Sequence, residues 1–139
     1  MVSIVTEPSG NHVILKPTTI SAYFGELTLR ENGISYLYKN DDLVIDETVA
    51  IDILRAIQEL NGANPVRIIV FQSSPMSYTF EGIETLLAAE NFEKTALVCS
   101  SSMQQTVGRL IQNMAHAQKI KFDVGVFAFV EEAEAWLGA

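Results

Sequence analysis

Between Pro65 and Gln72 the chain runs Val-Arg-Ile-Ile-Val-Phe, a nearly unbroken apolar stretch followed by Gln72-Ser73-Ser74-Pro75. A run this short and this apolar, fenced by turn residues, reads as a strand buried on both faces of a parallel sheet. Parallel strands cannot be joined by tight turns and need crossovers, which are usually helices. The flanking sequence supplies them. Ahead of the strand, Asp46 is suited to cap a helix whose Ala50, Ile53, Leu54, Ile57 and Leu60 recur at spacings of three and four. Asn61-Gly62 ends it, because glycine accepts the left-handed conformation at a helix terminus without a Cβ penalty.

The alternation continues. A helix is predicted over Thr79 to Glu90, capped by Ser77 or Thr79, with Phe80, Ile83, Leu86 and Leu87 facing inward. Thr95 to Cys99 reads as another buried strand. Ser100-Ser101-Ser102 then caps a helix carrying the stripe Met103, Val107, Leu110, Ile111 and Met114. Lys119 and Lys121 fall beyond its end, where cations suit the macrodipole. Val124 to Phe127 gives a last strand and Glu131 to Leu137 a terminal helix.

Upstream, Ala22 to Arg30 reads as a strand, Asn32-Gly33 as a type I′ turn with two positive-φ residues, and Ile34 to Tyr38 as the return strand. His12 to Leu15 is a candidate short edge strand stopped by Pro17, and residues 1–11 read as a loose terminal segment. The expectation is an α/β fold over residues 1–139 as a single domain: a β-hairpin, then alternating helices and strands on a mixed, largely parallel sheet. No composition break, linker or internal repeat divides the chain.

Hydrophobic residues make up 48% and charged residues 19%, which favours a packed core over disorder. Seventeen acidic residues against nine basic ones leave a formal charge of −8, which disfavours a nucleic-acid or anionic-membrane surface. No apolar run approaches the roughly 20 residues needed to span a bilayer, so no stable membrane insertion is expected. Met1 to Gly10 lacks the basic and apolar regions of a secretory signal, and one cysteine excludes a disulfide framework. A cytoplasmic location follows as the expectation.

No residue pattern announces catalysis. Cys99 precedes a serine-capped helix, where a thiol pKa can be depressed. A phosphatase-like loop would need Arg six residues later, and that position is Gln105. The plainer reading of Cys99 is a small buried hydrophobe finishing a strand. His12 and His116 show no metal spacing, and no nucleophile elbow, phosphate loop or dinucleotide fingerprint exists. The acidic groups Asp41-Asp42, Asp46-Glu47 and Glu131-Glu132 with Glu134 fall at a turn and at helix starts, where negative charge complements the dipole. Neither a cofactor nor a metal is expected. Two hydroxyl-rich loops remain as weak ligand-binding candidates: Ser73 and Ser74, and Ser100, Ser101 and Ser102. Both should emerge at the carboxyl edge of the sheet, the usual ligand edge of open α/β folds. The second group is better explained as helix caps, and Gln72 stands where a catalytic or metal site would want an acid.

The order of these pieces resembles the STAS domain, the SpoIIAA-like fold of the anti-sigma-factor antagonists, and more closely a bacterial branch of STAS-like proteins grouped with the CRAL-TRIO fold. The resemblance covers roughly residues 22–139. It rests on Asn32-Gly33-Ile34, on Ala96-Leu97-Val98 leading to Ser100-Ser101-Ser102, and on Gly108-Arg109-Leu110-Ile111-Gln112-Asn113. It rests also on Phe127 followed by Glu131-Glu132-Ala133 and Trp136-Leu137. The regulatory members carry Asp-Ser-Ser-Gly at the start of the helix after the second buried strand. The matching stretch here is Thr79-Phe80-Glu81-Gly82-Ile83, so the phosphorylated serine does not carry over. The cap of the terminal helix, often Asp in the close relatives, is Phe129, which leaves that helix start to Glu131 or Glu132.

The resemblance implies a non-catalytic regulatory domain that docks an as yet unidentified protein partner. The alternative is a small-molecule or lipid-binding domain using the carboxyl-edge loops. An enzyme is not expected. Tyr23, Phe24, Tyr36 and Tyr38 are the candidate surface for a homodimer, unless alternate members face the core.

Overall fold

A computed structural model of the chain describes residues 4–6, 13–15, 18–40, 42–72 and 77–138. Its elements in order are β1 (Ile4–Thr6), β2 (Val13–Leu15), β3 (Thr18–Ala22), β4 (Gly25–Leu29), β5 (Ile34–Lys39), β6 (Val44–Ile45) and α1 (Glu47–Asn61). There follow β7 (Val66–Phe71), β8 (Ser77–Tyr78), α2 (Phe80–Leu87), β9 (Phe92–Val98), α3 (Ser102–Gln118), β10 (Asp123–Phe127) and α4 (Val130–Leu137). The main sheet has the strand order β10-β9-β7-β5-β4-β3. The four strands from β10 to β5 are mutually parallel, and β5, β4 and β3 form an antiparallel meander at one side. This is the expected α/β architecture with a mixed, largely parallel sheet.

Alternation along the strands sends neighbouring residues to opposite faces. On one face Leu27, Leu37 and Ile68 pack with Ala50, Ile53 and Ile57 of α1, while Leu97 and Cys99 pack with Ile83 and Leu87 of α2 and Ile111 of α3. On the other face Ile34, Tyr36, Ile69, Ala96 and Val98 receive Ala133 and Leu137 of α4 alone. Among the described residues the sheet is therefore covered by three helices on one side and a single short helix on the other.

Three readings of the hairpin region need correction. The strand read as Ala22 to Arg30 is two strands, β3 and β4, reversing at Tyr23-Phe24. Gly25 makes this possible: its φ is +137°, and a Cβ there would lie 2.0 Å from the Tyr38 carbonyl oxygen. Phe24 then turns into the core, and Tyr23 donates to Asp52 Oδ2 of α1 at 2.5 Å. The Asn32-Gly33 turn is also not type I′, since only Gly33 has positive φ (+81°). The turn is closed by Gly33 N–H to the Arg30 carbonyl at 2.9 Å. Asn32 contributes through its side chain, accepting from Ile34 N–H and donating to Tyr36 Oη. Finally, Val13–Leu15 pairs with Ile4–Thr6 in a sheet of its own, and the edge strand of the main sheet is β3.

The helix ends follow sequence logic with one exception. Asp46 caps α1, Thr79 caps α2 and Ser101 caps α3, each side chain accepting a backbone N–H of the first turn. Phe129 of α4 provides no such bond, and neither Glu131 nor Glu132 substitutes as a cap. The far end of α4 is held instead by the sheet: Arg67 Nη1 donates to the Leu137 carbonyl at 2.7 Å and Lys94 Nζ to the Trp136 carbonyl at 3.1 Å. Tyr36 Oη donates to Glu134 midway along the helix.

Candidate functional site

The residues that follow the carboxyl ends of β5, β7 and β9 meet on the helix-covered face. In β5, Ser35, Leu37 and Lys39 share one phase of the alternation, and that phase points under the helices. Lys39 is therefore carried inward and keeps only 8% of its surface exposed. Its Nζ donates to Gln72 Oε1 at 3.1 Å and to Tyr78 Oη at 2.5 Å, and it lies 4.6 Å from the Tyr78 ring centroid. Tyr78 donates to the same Gln72 oxygen at 2.9 Å, which closes a triangle of polar groups.

Gln72 is placed by an extension of the ladder, its N–H donating to the Val98 carbonyl at 3.0 Å. Cys99 is placed likewise, donating to the Phe127 carbonyl at 2.8 Å. The Gln72 side chain is buried, and with its oxygen used twice its Nε2 has no hydrogen-bond partner. A buried donor left in that state is uncommon, because it forfeits its hydration without recompense.

Burial governs the ionisation of this cluster. Desolvation holds the Lys39 amine well below its usual 10.5, opposed by the nearby Cys99 sulfur. Burial pushes the Cys99 thiol up to about 11, opposed by Lys39. Burial also raises the Tyr78 phenol. At neutral pH the thiol and the phenol are therefore protonated. Cys99 is fully buried and is no thiolate nucleophile in this environment.

Below the triangle, between the sheet and α1, α2 and α3, lies a cavity of about 60 Å³. Its walls are aliphatic and aromatic except for Lys39, Tyr78 and Thr95. Thr95 Oγ1 is buried there without a hydrogen-bond partner, a second polar atom left unsatisfied.

The serines named from sequence divide. Ser73 and Ser74 lie outside the described residues. Ser101 Oγ accepts from Gln104 N–H at 3.2 Å, while Gln104 Oε1 accepts from Ser101 N–H and from both the N–H and the hydroxyl of Ser100. That reciprocal capping box engages the N–H groups of Ser100, Ser101 and Gln104. Ser102 opens the helix, its carbonyl accepting from Thr106 Oγ1. His12 and Asp41 also lie outside the described residues, and among the described residues no three His, Cys, Asp or Glu side chains cluster as a metal site. Lys39, Gln72 and Tyr78 are the groups sequence reasoning missed. The available signal was a lysine at an inward strand position, in phase with Ser35 and Leu37.

The same edge carries most of the exposed apolar surface. Eight large hydrophobic residues are exposed among the described residues, and six stand at the carboxyl edge. Tyr23 is in the β3–β4 turn, Tyr38 near the end of β5, Val44 in β6, Phe80 and Met103 in the first turns of α2 and α3, and Phe129 at the start of α4. Phe80, expected to face inward, and Met103 and Leu110, expected in the packed stripe of α3, are corrected here to exposed positions. Of the four aromatic residues named for a homodimer, Phe24 and Tyr36 are buried, leaving Tyr23 and Tyr38 at the surface. Among the described residues no helix is long and apolar enough to cross a membrane. Compared with family models, with curated proteins and with solved structures, the chain finds no match in any of the three.

Proposed function

We propose that the chain is a STAS-like, non-catalytic regulatory domain of the cytoplasm that docks a partner protein on the carboxyl edge of its sheet. The observation that carries this reading is the concentration of exposed apolar side chains there, led by Met103 at 75%, Phe129 at 65% and Phe80 at 58% exposure. Apolar groups gathered on one edge and rimmed by polar residues are the usual mark of an interaction surface. The meander followed by alternating helices and parallel strands is the coarse α/β order that this reading expects. The formal charge of −8 would steer basic partners toward the domain in a salt-sensitive way.

The test compares three proteins in quantitative crosslinking from a native lysate. They are the wild type, the edge variant Phe80→Asp/Met103→Asp/Phe129→Asp, and the control Ile51→Asp/Leu110→Asp, whose changes lie on exposed helix positions elsewhere. A species captured by wild type and control and lost with the edge variant supports the reading. Equal capture by all three ends it.

A second reading, a small-molecule binding domain at the same edge, is favoured by the orphaned Gln72 Nε2 beside Lys39 and Tyr78. A bound ligand raises the melting temperature of the state that holds it. No shift across a broad metabolite screen removes this option.

A further inference from the structure

We propose that Lys39 is a covalent acceptor for short aliphatic aldehydes, condensing with the carbonyl to form an imine while the alkyl tail occupies the adjoining apolar cavity. This rests on the small-molecule reading and names its ligand class.

Three features converge on that chemistry. The Lys39 side chain is itself part of the cavity wall, so a molecule seated there is delivered to it. An amine in an apolar pocket spends more time neutral than an exposed one, and only the neutral amine has the lone pair that attacks a carbonyl. The burial-depressed pKa agrees with that geometry. A protonated phenol, Tyr78, stands 2.5 Å from the amine; by turning from the Gln72 oxygen it now donates to, it can give its proton to the oxygen that must leave. The amide of Gln72 adds a donor with no partner, Nε2, which suits an acceptor oxygen on an incoming ligand. The 8% of Lys39 that reaches solvent leaves a point of contact.

The step balances without an added oxidant or reductant. The Nζ lone pair adds to the carbonyl carbon, forming a C–N bond as the C=O π bond breaks, and the oxygen takes a proton from Tyr78. The nitrogen returns a proton to the phenolate. The carbinolamine then loses its hydroxyl with one further proton as water, while the C=N bond forms. Amine and aldehyde give imine and water.

Size sets the specificity. An apolar cavity of about 150 Å³ accepts a benzene ring, so the 60 Å³ here holds a tail of roughly two carbon atoms on the same scale. Propanal fits and octanal does not.

The experiment treats the full chain with propanal and sodium cyanoborohydride at neutral pH, which reduces any imine to a stable secondary amine, and maps the adducts by peptide mass spectrometry. Lys119 and Lys121 are exposed and serve as internal references. The expected result is labelling of Lys39 at least about tenfold faster than either, because only the neutral amine attacks the carbonyl. Octanal should abolish the preference, and Tyr78→Phe should slow labelling at Lys39 alone. Labelling of Lys39 no faster than Lys119 and Lys121, or equal preference with octanal, overturns the proposal. Propanamide, which cannot form an imine, separates the two levels. A rise in melting temperature with propanamide and no Lys39 preference refutes the imine and leaves the binding reading standing. No rise and no preference refutes both.

Discussion

Lys39 Nζ and Tyr78 Oη are 2.5 Å apart beneath the helices, and the two residues come from different sheets, β5 of the main sheet and β8 of the two-stranded pair β6-β8. β8 is short, but it holds the phenol against the end of a central strand. The contact ties the loop region after β7 to the meander and fixes the amine in an apolar setting.

That setting predicts a specific pH dependence. The folded-state pKa of Lys39 lies below its usual 10.5, so between those two values the unfolded chain binds more protons than the folded one. Stability should therefore rise with pH across that window, by up to about 1.4 kcal/mol per unit. Cys99 has the opposite sign. Its folded pKa is raised from 9.0 to about 11, so its contribution is present below pH 9 and lost as pH climbs toward 11. Urea denaturation of wild type and Lys39→Met between pH 6 and 9 isolates the lysine. The variant should be the more favoured at the acid end, with the difference shrinking as pH rises. A difference independent of pH would show that Lys39 carries no burial penalty.

A second prediction concerns how closely α2 sits on β6. Gly82 is in the first turn of α2, and a Cβ there would fall 2.1 Å from the Ile45 carbonyl oxygen. The clash is with backbone, which cannot rotate away. Gly82→Ala should cost about 2–3 kcal/mol despite the better helix propensity of alanine. Gly62→Ala is the contrast: it has open space, but its φ of +59° with ψ of −130° lies outside the left-handed helical region expected from sequence and is nearly confined to glycine, so its cost reflects backbone strain alone, about 1–3 kcal/mol. Chemical denaturation of both variants measures the difference.

How much of this was legible in the sequence depends on whether the deciding interaction is local. α1 and β7 were read to within a residue because caps and periodicity are written in adjacent positions. Asp46, Ile53 and Gly62 act within their own turn or stripe. The β3–β4 reversal was not legible, since Tyr23-Phe24 looks like strand and only the approach of Gly25 to Tyr38 explains the turn. The Lys39 triangle was hidden for a related reason: Gln72 and Tyr78 meet it through pairing of distant strands, 33 and 39 residues along the chain. The serines stood out by composition, yet Ser100 and Ser101 bond to Gln104, a partner that the same local sequence contains.

That capping box yields a third prediction. Ser101→Ala removes the acceptor for Gln104 N–H and should cost about 1 kcal/mol. Ser102→Ala, one position into the helix, should cost well under that, because the bond from Thr106 goes to the Ser102 backbone carbonyl, which alanine keeps. Thermal denaturation ranks the two. Equal losses would mean that the Ser101 hydroxyl is not the cap.

The last prediction tests why α4 stays on a sheet face that no other helix among the described residues shares. Its own last turn holds no basic residue to complement the dipole, and its start lacks a side-chain cap. Two cations projecting from the sheet supply what the helix lacks, Arg67 of β7 and Lys94 of β9, each donating to a carbonyl of the last turn. Arg67 is half-buried and also donates to the Asn32 carbonyl at 3.1 Å, so one guanidinium joins the helix end to the β4–β5 turn. Charge-assisted bonds of this kind contribute about 1.5–3 kcal/mol when sheltered, and partial exposure brings the expected cost of Arg67→Met to about 1–2 kcal/mol. Hydrogen exchange should show more than the global loss: amides of α4 should lose protection ahead of those in β7 and β9, because the short helix is then held only by its apolar contacts through Ala133 and Leu137 and by the bonds from Tyr36 and Lys94. A uniform loss of protection across the domain would mean that α4 and the sheet open as a single unit, and that Arg67 supports the strand it belongs to rather than the helix it reaches.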